Sequence, residues 1–266
     1  MTASLPCAEY VPDLFRQPDL EASSLVRMLE IDPASAAPLL KLARMPRFVG
    51  AGSTLVDLPG AVRRLGTRNS LLIMRTVVLR RALCTGDAVW GPLSAATWKT
   101  MMTTSKIASQ AAEAKFKSVI SPDRMGILAL FQNIGELVLV KAAAQLNNSP
   151  HPGVSAGDLA AQAMQSHTDL GDALCRFWNI DDEIRRLVRC HHAPDSFSDG
   201  NSDDRFRQLC SLAVLDDLEA TQRLGAYFSI QPGYPSRSQC LELLGVSEEE
   251  WQEITLHQAR GSILQE

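Results

Sequence analysis

The chain has 266 residues, and its 26 Lys plus Arg against 30 Asp plus Glu leave a formal net charge of -4. That mild acidity excludes a protein that coats nucleic acid or an anionic membrane through overall charge, and 16 Gly with 14 Pro exclude collagen-like and low-complexity chains. Six scattered cysteines (Cys7, Cys84, Cys175, Cys190, Cys210, Cys240) form no C-x-x-C pair, which points to a reduced, cytoplasmic setting rather than a disulfide framework. Glu9, Asp13, Arg16, Asp19 and Glu21 interrupt the first segment, so no apolar leader is expected, and no uninterrupted apolar run reaches the ~18 residues of a spanning helix.

Helical periodicity dominates and no alternating strand stands out, so the predicted fold class is all-α. Asp32-Pro33 reads as an N-cap followed by Pro at the first helical position, opening a helix toward Ala43 that Met45, Pro46, Gly50 and Gly52 break. Asp57 caps a short helix that Gly66 ends, and Thr67 caps a longer one bearing Leu71, Met74, Val78 and Leu79. Gly86, Gly91 and Pro92 mark a break. Beyond it Trp98, Met101, Met102, Ser105 and Ala108 follow helical spacing and read as core. Ser121-Pro122-Asp123 starts a helix predicted to run unbroken through Ile127, Phe131, Ile134 and Val138. After a turn-rich loop from Asn147 to Gly157, separate helices are expected at Ser155–Met164, His167–Trp178 and Asp181–His192. A polar loop at Asp195–Asp204 precedes helices at Asp204–Leu224, Arg237–Leu244 and Ser247–Ala259.

Three segments carry chemistry: Leu130-Phe131-Gln132-Asn133-Ile134-Gly135-Glu136-Leu137, Cys190-His191-His192-Ala193-Pro194, and Leu215-Asp216-Asp217. Together they resemble the HDOD family, the HD-related output domain of bacterial signalling proteins, in which the first segment usually reads L-H-D-I-G and the second is a His-His pair followed by Pro. The stretch from His167 through Gly171 and Trp178 to His191 is similar to the family's histidine–glycine–tryptophan spacing. Asp32-Pro33, Leu39-Leu40-Lys41-Leu42-Ala43, Ala61-Val62-Arg63-Arg64-Leu65-Gly66, and Trp90 with Ser94 complete the likeness. The resemblance covers residues 14–225. It implies two helical subdomains, an N-terminal one at 14–86 and an HD-like one at 87–225, with residues 226–266 left as a C-terminal helical extension.

An HD phosphohydrolase holds divalent metal with a His, an adjacent His-Asp pair and a later Asp; the ion then lowers the pKa of a bound water that attacks phosphorus. Here Gln132-Asn133 replaces the His-Asp pair, and the first position falls near Ser94, which is not a histidine either. Neutral amide oxygens are poor substitutes for imidazole and carboxylate on a transition metal. The fourth position is Asp216 or Asp217: family spacing favours Asp216 slightly, while the helical stripe of Phe206, Leu209, Cys210, Ala213 and Val214 turns Asp217 inward. Whichever is buried is expected to cap or salt-bridge a neighbouring helix. His191 and His192, on a continuing helix, would point about 100° apart, so they are expected to end the helix and bond its free carbonyls rather than share an ion. They and His167 remain candidate ligand-binding residues.

Between Asp57 and Cys84 six arginines (Arg63, Arg64, Arg68, Arg75, Arg80, Arg81) face one carboxylate, Asp57. A solvated face is the first expectation, and Arg63, Arg64 and Arg68 are the candidate partner contacts. The sequence therefore predicts a non-catalytic regulatory module that acts by protein–protein contact, with no cofactor, no metal and no membrane. A metal-dependent phosphohydrolase using displaced ligands such as His167, His191, His192 and Asp217 is the alternative. DNA binding through the Arg-rich helix pair is a third reading.

Overall fold

The structure is a computed structural model and describes residues 14–15, 20–45, 48, 56–147, 155–193, 204–224 and 235–256. The breaker-rich stretch after Met45, most of the loop predicted at Asn147 to Gly157, the polar loop at Asp195–Asp204 and the end of the chain lie largely outside these residues. The described residues form helices and turns with no strand among them. The chain divides into two compact units, Met1–Cys84 with Trp178–Ile180, and Thr85–Phe177 with Asp181–Glu266.

In the first unit, α1 (Ala22–Ile31), α2 (Pro33–Ala43), α3 (Leu58–Leu65) and α4 (Thr67–Leu83) pack around Leu25, Leu29, Leu39, Met74 and Leu79. Asp57 accepts a hydrogen bond from Gly60 N–H as the expected cap of α3. Gly66 carries φ +81°, a left-handed value that glycine adopts without strain, and it, not Thr67, occupies the cap position of α4. Asp32 also departs from expectation: its side chain does not cap α2. Instead Ser35 Oγ donates to it at 2.6 Å and Arg81 pairs with it at 2.8 Å. Burial opposes ionisation of this carboxyl, but Ser35 and Arg81 outweigh it and hold Asp32 below its usual range.

The second unit is built on α5 (Gly91–Ala111), which ends in a π-helical turn at Ala112–Phe116. It packs against α6 (Pro122–Phe131) and α10 (Asp204–Leu224); α7 (Ile134–Asn147) packs on α8 (Ala156–Phe177), which meets α9 (Asp182–Cys190). The final helices α11 (Arg237–Leu244) and α12 (Glu248–Leu256) pack on α10 and α5, burying Trp251 completely. The helices expected at Ser155–Met164 and His167–Trp178 are one, because Gln165-Ser166 contains no breaker. The helix from Pro122, by contrast, is interrupted at Gln132-Asn133, where Glu136 N–H bonds to Asn133 O, three residues back. Taken across that break, Pro122–Leu146 has the length and mean hydropathy (1.5) of a membrane span, but 78% of the apolar window is buried within the protein, as in a core helix.

Two devices fix the position of the residues discussed next. Asp181 caps α9 through Ile184 N–H and also binds both terminal nitrogens of Arg124 on α6, while Arg124 Nε reaches Glu183 at 2.8 Å. Glycines then let three helices approach closely. A Cβ on Gly135 of α7 would lie 1.9 Å from His167 O, and one on Gly171 of α8 would lie 2.6 Å from Val188 Cγ1 of α9. Only a residue without a side chain fits either place.

Candidate functional site

The middle of α10 is buried on every side from Leu209 to Asp217, so both carboxyls enter the core. Asp217 faces Thr104 of α5, with 3.1 Å between Thr104 Oγ1 and Asp217 Oδ1. The Asn133 and Gln132 amides lie alongside the same carboxyl. Neither Gln132 Nε2 nor Gln132 Oε1 completes a hydrogen bond among the described residues. Burial pushes Asp217 up to about 6, against the pull of Asn133, Thr104 and Gln132 toward the ionised form.

Asp216 is fully buried, and neither of its oxygens has a hydrogen-bond partner among the described residues. Burial first, and then Asp217 and Glu219, raise it well above the usual carboxylate range. Glu136, at the start of α7, is raised in the same way by burial and by Asp217. The expectation that one of the two aspartates would salt-bridge or cap a helix therefore needs correcting. Burial shifts both carboxyls toward the neutral acid, Asp217 to about 6 and Asp216 well above the usual range, because unpaired charge is costly in the core.

Ser94 sits near the start of α5. Its Oγ accepts from Thr85 N–H, ten residues and ~15 Å of helix before Thr104. Thr104, which the sequence reading did not single out, is the α5 residue that meets Asp217. It lies on the helical stripe of Ser94 and Met101, three residues beyond the latter. Glu136 was missed as well, although it is the lone acid between Arg124 and Asn147 in an apolar run.

The three histidines converge. His192 Nε2 lies 2.8 Å from His167 Nε2, and His191 Nε2 lies 3.4 Å from the same atom. The sequence-based argument that adjacent histidines diverge assumed a continuing helix, but α9 ends at Cys190 and the pair occupies the turn beyond it. His191 still does what a helix-ending histidine should: Nδ1–H donates to Val188 O at 2.9 Å, which leaves Nε2 as the atom facing His167. His167 and His191 are buried and His192 half-buried. Burial, with the neighbouring rings, holds His191 well below its usual range and His192 at about 3, so these imidazoles are neutral at physiological pH. Among the described residues, the group of potential metal-ligand atoms lying within 4.8 Å of one another consists of these three rings and includes no carboxylate.

The arginine-rich segment separates into two kinds. Arg75 is buried, donating from Nε to Leu14 O at 2.6 Å with its guanidinium 5.5 Å from the Phe15 ring centroid, and Arg81 is committed to Asp32. Those two hold the fold. Arg63 and Arg68 are exposed, and the half-buried Arg64 donates to Ala43 O.

Among the described residues, the groups beside Asp217 are one hydroxyl and two amides, from Thr104, Gln132 and Asn133. That set does not fit the imidazole–carboxylate metal centre of an HD phosphohydrolase. A family model for the HDOD domain matches residues 6–194. A protein of uncharacterised function from Treponema pallidum (strain Nichols) is 27% identical over 198 residues, covering 68% of this chain; the chain spans about a third (36%) of that relative's length. The crystal structure of an HDOD domain protein of unknown function from Geobacter sulfurreducens matches with TM-score 0.63 at 17% identity, covering 96% of this chain and 87% of that one. A Shewanella amazonensis SB2B protein provisionally described as a phosphohydrolase matches with TM-score 0.62 at 16% identity, covering 96% and 89%.

Proposed function

We propose that this chain, which belongs to the HDOD domain family, is a non-catalytic regulatory module that acts by contact with a protein partner. One observation carries the reading: where an HD hydrolase has imidazoles and a His-Asp pair, this chain places the neutral groups of Thr104, Gln132 and Asn133 around Asp217. Such a pocket neither concentrates positive charge nor generates hydroxide. The scaffold then serves for recognition, and exposed Arg63 and Arg68 in the first unit are its contact residues, suited to an acidic or phosphorylated surface. The test is capture of a partner from the native cell by the tagged full chain. Arg63→Glu with Arg68→Glu should abolish enrichment of that partner while changing stability by no more than about 0.5 kcal/mol. Equal enrichment by wild type and variant removes the contact face from the account.

A second reading, a metal-dependent phosphohydrolase with His167, His191, His192 and Asp217 as displaced ligands, draws on the convergence of the three rings. Against it stands the absence of any carboxylate from that group of ligand atoms among the described residues.

A further inference from the structure

We infer that His167, His191 and His192 form a site for one divalent transition-metal ion of borderline softness, such as Zn²⁺, bound through imidazole nitrogens alone. The inference goes beyond the proposed regulatory role, which assigns no ion, and unlike the phosphohydrolase reading it needs neither Asp217 nor catalysis.

The geometry supplies the first argument. A tetrahedral zinc ion with bonds of 2.0–2.1 Å holds its nitrogen ligands about 3.3–3.4 Å apart. His167 and His191 already present Nε2 atoms at 3.4 Å, and the His167–His192 pair at 2.8 Å needs to widen by only about half an ångström to match. The rings stand at 50–63° to one another rather than stacked, and one nitrogen from each lies within 4.8 Å of the others.

Proton accounting supplies the second. His191 donates from Nδ1 to Val188 O, so its Nε2 offers a lone pair. Across the 2.8 Å contact, His167 and His192 share a single Nε2 proton, because two would collide. The three nitrogens thus face one another with one proton among them, an arrangement that a cation satisfies better. When the ion enters, that proton leaves Nε2, and the same ring takes one up at Nδ1, so all three imidazoles stay neutral and no redox step occurs.

The third argument is support from the surrounding chain. The Nδ1–H to backbone-carbonyl bond of His191 is the outer-shell arrangement that orients metal-binding histidines. Gly135 and Gly171 bring α7, α8 and α9 together at the level of His167 and Val188, so the rings sit on a rigid three-helix junction. His192 is half-buried, so of the three rings it is the one nearest solvent. The donor set selects its ion: imidazole suits zinc, nickel and cobalt, whereas Mg²⁺ and Ca²⁺ require oxygen.

The chain has five histidines, which makes the test clean: His151 and His257 serve as controls. Full-length protein stripped with chelator is titrated with Zn²⁺ and, separately, with Mg²⁺, by calorimetry or equilibrium dialysis. The expected result is one Zn²⁺ per chain and no Mg²⁺. Binding should weaken by at least about 100-fold in His192→Ala and in His167→Ala, more than loss of an outer-shell group causes, and remain unchanged in His151→Ala and His257→Ala. Because a buried-ring variant can fail to fold, the wild type is also loaded with Co²⁺, which should show the visible ligand-field absorption of nitrogen ligation and lose it to excess Zn²⁺. Absence of saturable Zn²⁺ binding overturns the inference, as does stoichiometric binding that survives in folded His192→Ala. Zn²⁺ binding without hydrolysis leaves the proposed regulatory function standing, and hydrolysis by the Zn²⁺-loaded chain overturns that function while leaving the ion site in place.

Discussion

Replacing Asp217 by Asn tests whether the core holds that carboxyl as an acid or needs it as an anion. Its rise from 3.8 to about 6 corresponds to about 3 kcal/mol of preference for the protonated form. The sign follows from linkage. Between pH 4 and 6 the folded chain binds a proton that the unfolded chain has released, so stability falls as pH rises through this window and the whole penalty is present above it. Asn is nearly isosteric and never ionises. It also suits the local hydrogen bonds: Thr104 Oγ1 lies 3.0 Å from Thr100 O and 3.1 Å from Asp217 Oδ1, and its single proton can serve one of them. An Asn amide donates to Thr104 Oγ1, while the hydroxyl keeps its bond to Thr100. Asp217→Asn should therefore stabilise the protein by about 1 kcal/mol at pH 4.5 and about 3 kcal/mol at pH 8, the latter raising Tm by roughly 6–12 °C. Urea denaturation at the two pH values measures this. A variant less stable than wild type at pH 8 would refute the reasoning, because the carboxylate would then be needed in its charged form.

Acid should weaken the fold through the histidines. With His192 held at about 3 against 6.5 unfolded, stability falls by about 1.4 kcal/mol for each pH unit below 6.5, and His191 adds to the effect. His192→Gln should flatten that acid limb in urea denaturation between pH 6.5 and 5, and an unchanged slope would contradict the assignment. Gly135→Ala places a methyl carbon 1.9 Å from His167 O, a backbone atom that cannot yield without parting α7 from α8. It should cost several kcal/mol or abolish folding, whereas a soluble variant melting within a few degrees of wild type would show that the junction adapts.

Where a helix boundary depends on local residues, the sequence could be read closely. Arg237–Leu244, between the Ser236 cap and left-handed Gly245, has the boundaries its periodicity predicts, and Asp204–Leu224 is helical throughout. The inward turn of Asp217 was legible too, because a helical stripe determines direction. The meeting of His191, His192 and His167 was not. It depends on α9 ending at Cys190, where neighbouring residues cease to be separated by a helical angle, and on a partner ring 24 residues earlier. The family likeness pointed to the neighbourhood of Ser94, but spacing from Trp90 does not reveal that Thr104 is the α5 residue facing Asp217. Charge counting gave Arg75 and Arg81 to a solvated face, although a carbonyl at Leu14 and a carboxylate at Asp32 draw them inward.

The central claim is that the pocket of Thr104, Gln132, Asn133 and Asp217 does not hydrolyse phosphate esters. Its most direct test is the initial rate of hydrolysis of a chromogenic phosphodiester and of cyclic dinucleotides by the full chain pre-loaded with Mn²⁺, Fe²⁺ or Zn²⁺. The account predicts a rate equal to that of the ion alone, identical for wild type and Asp217→Asn. A rate above that blank, removed by chelator and abolished in Asp217→Asn, would contradict it.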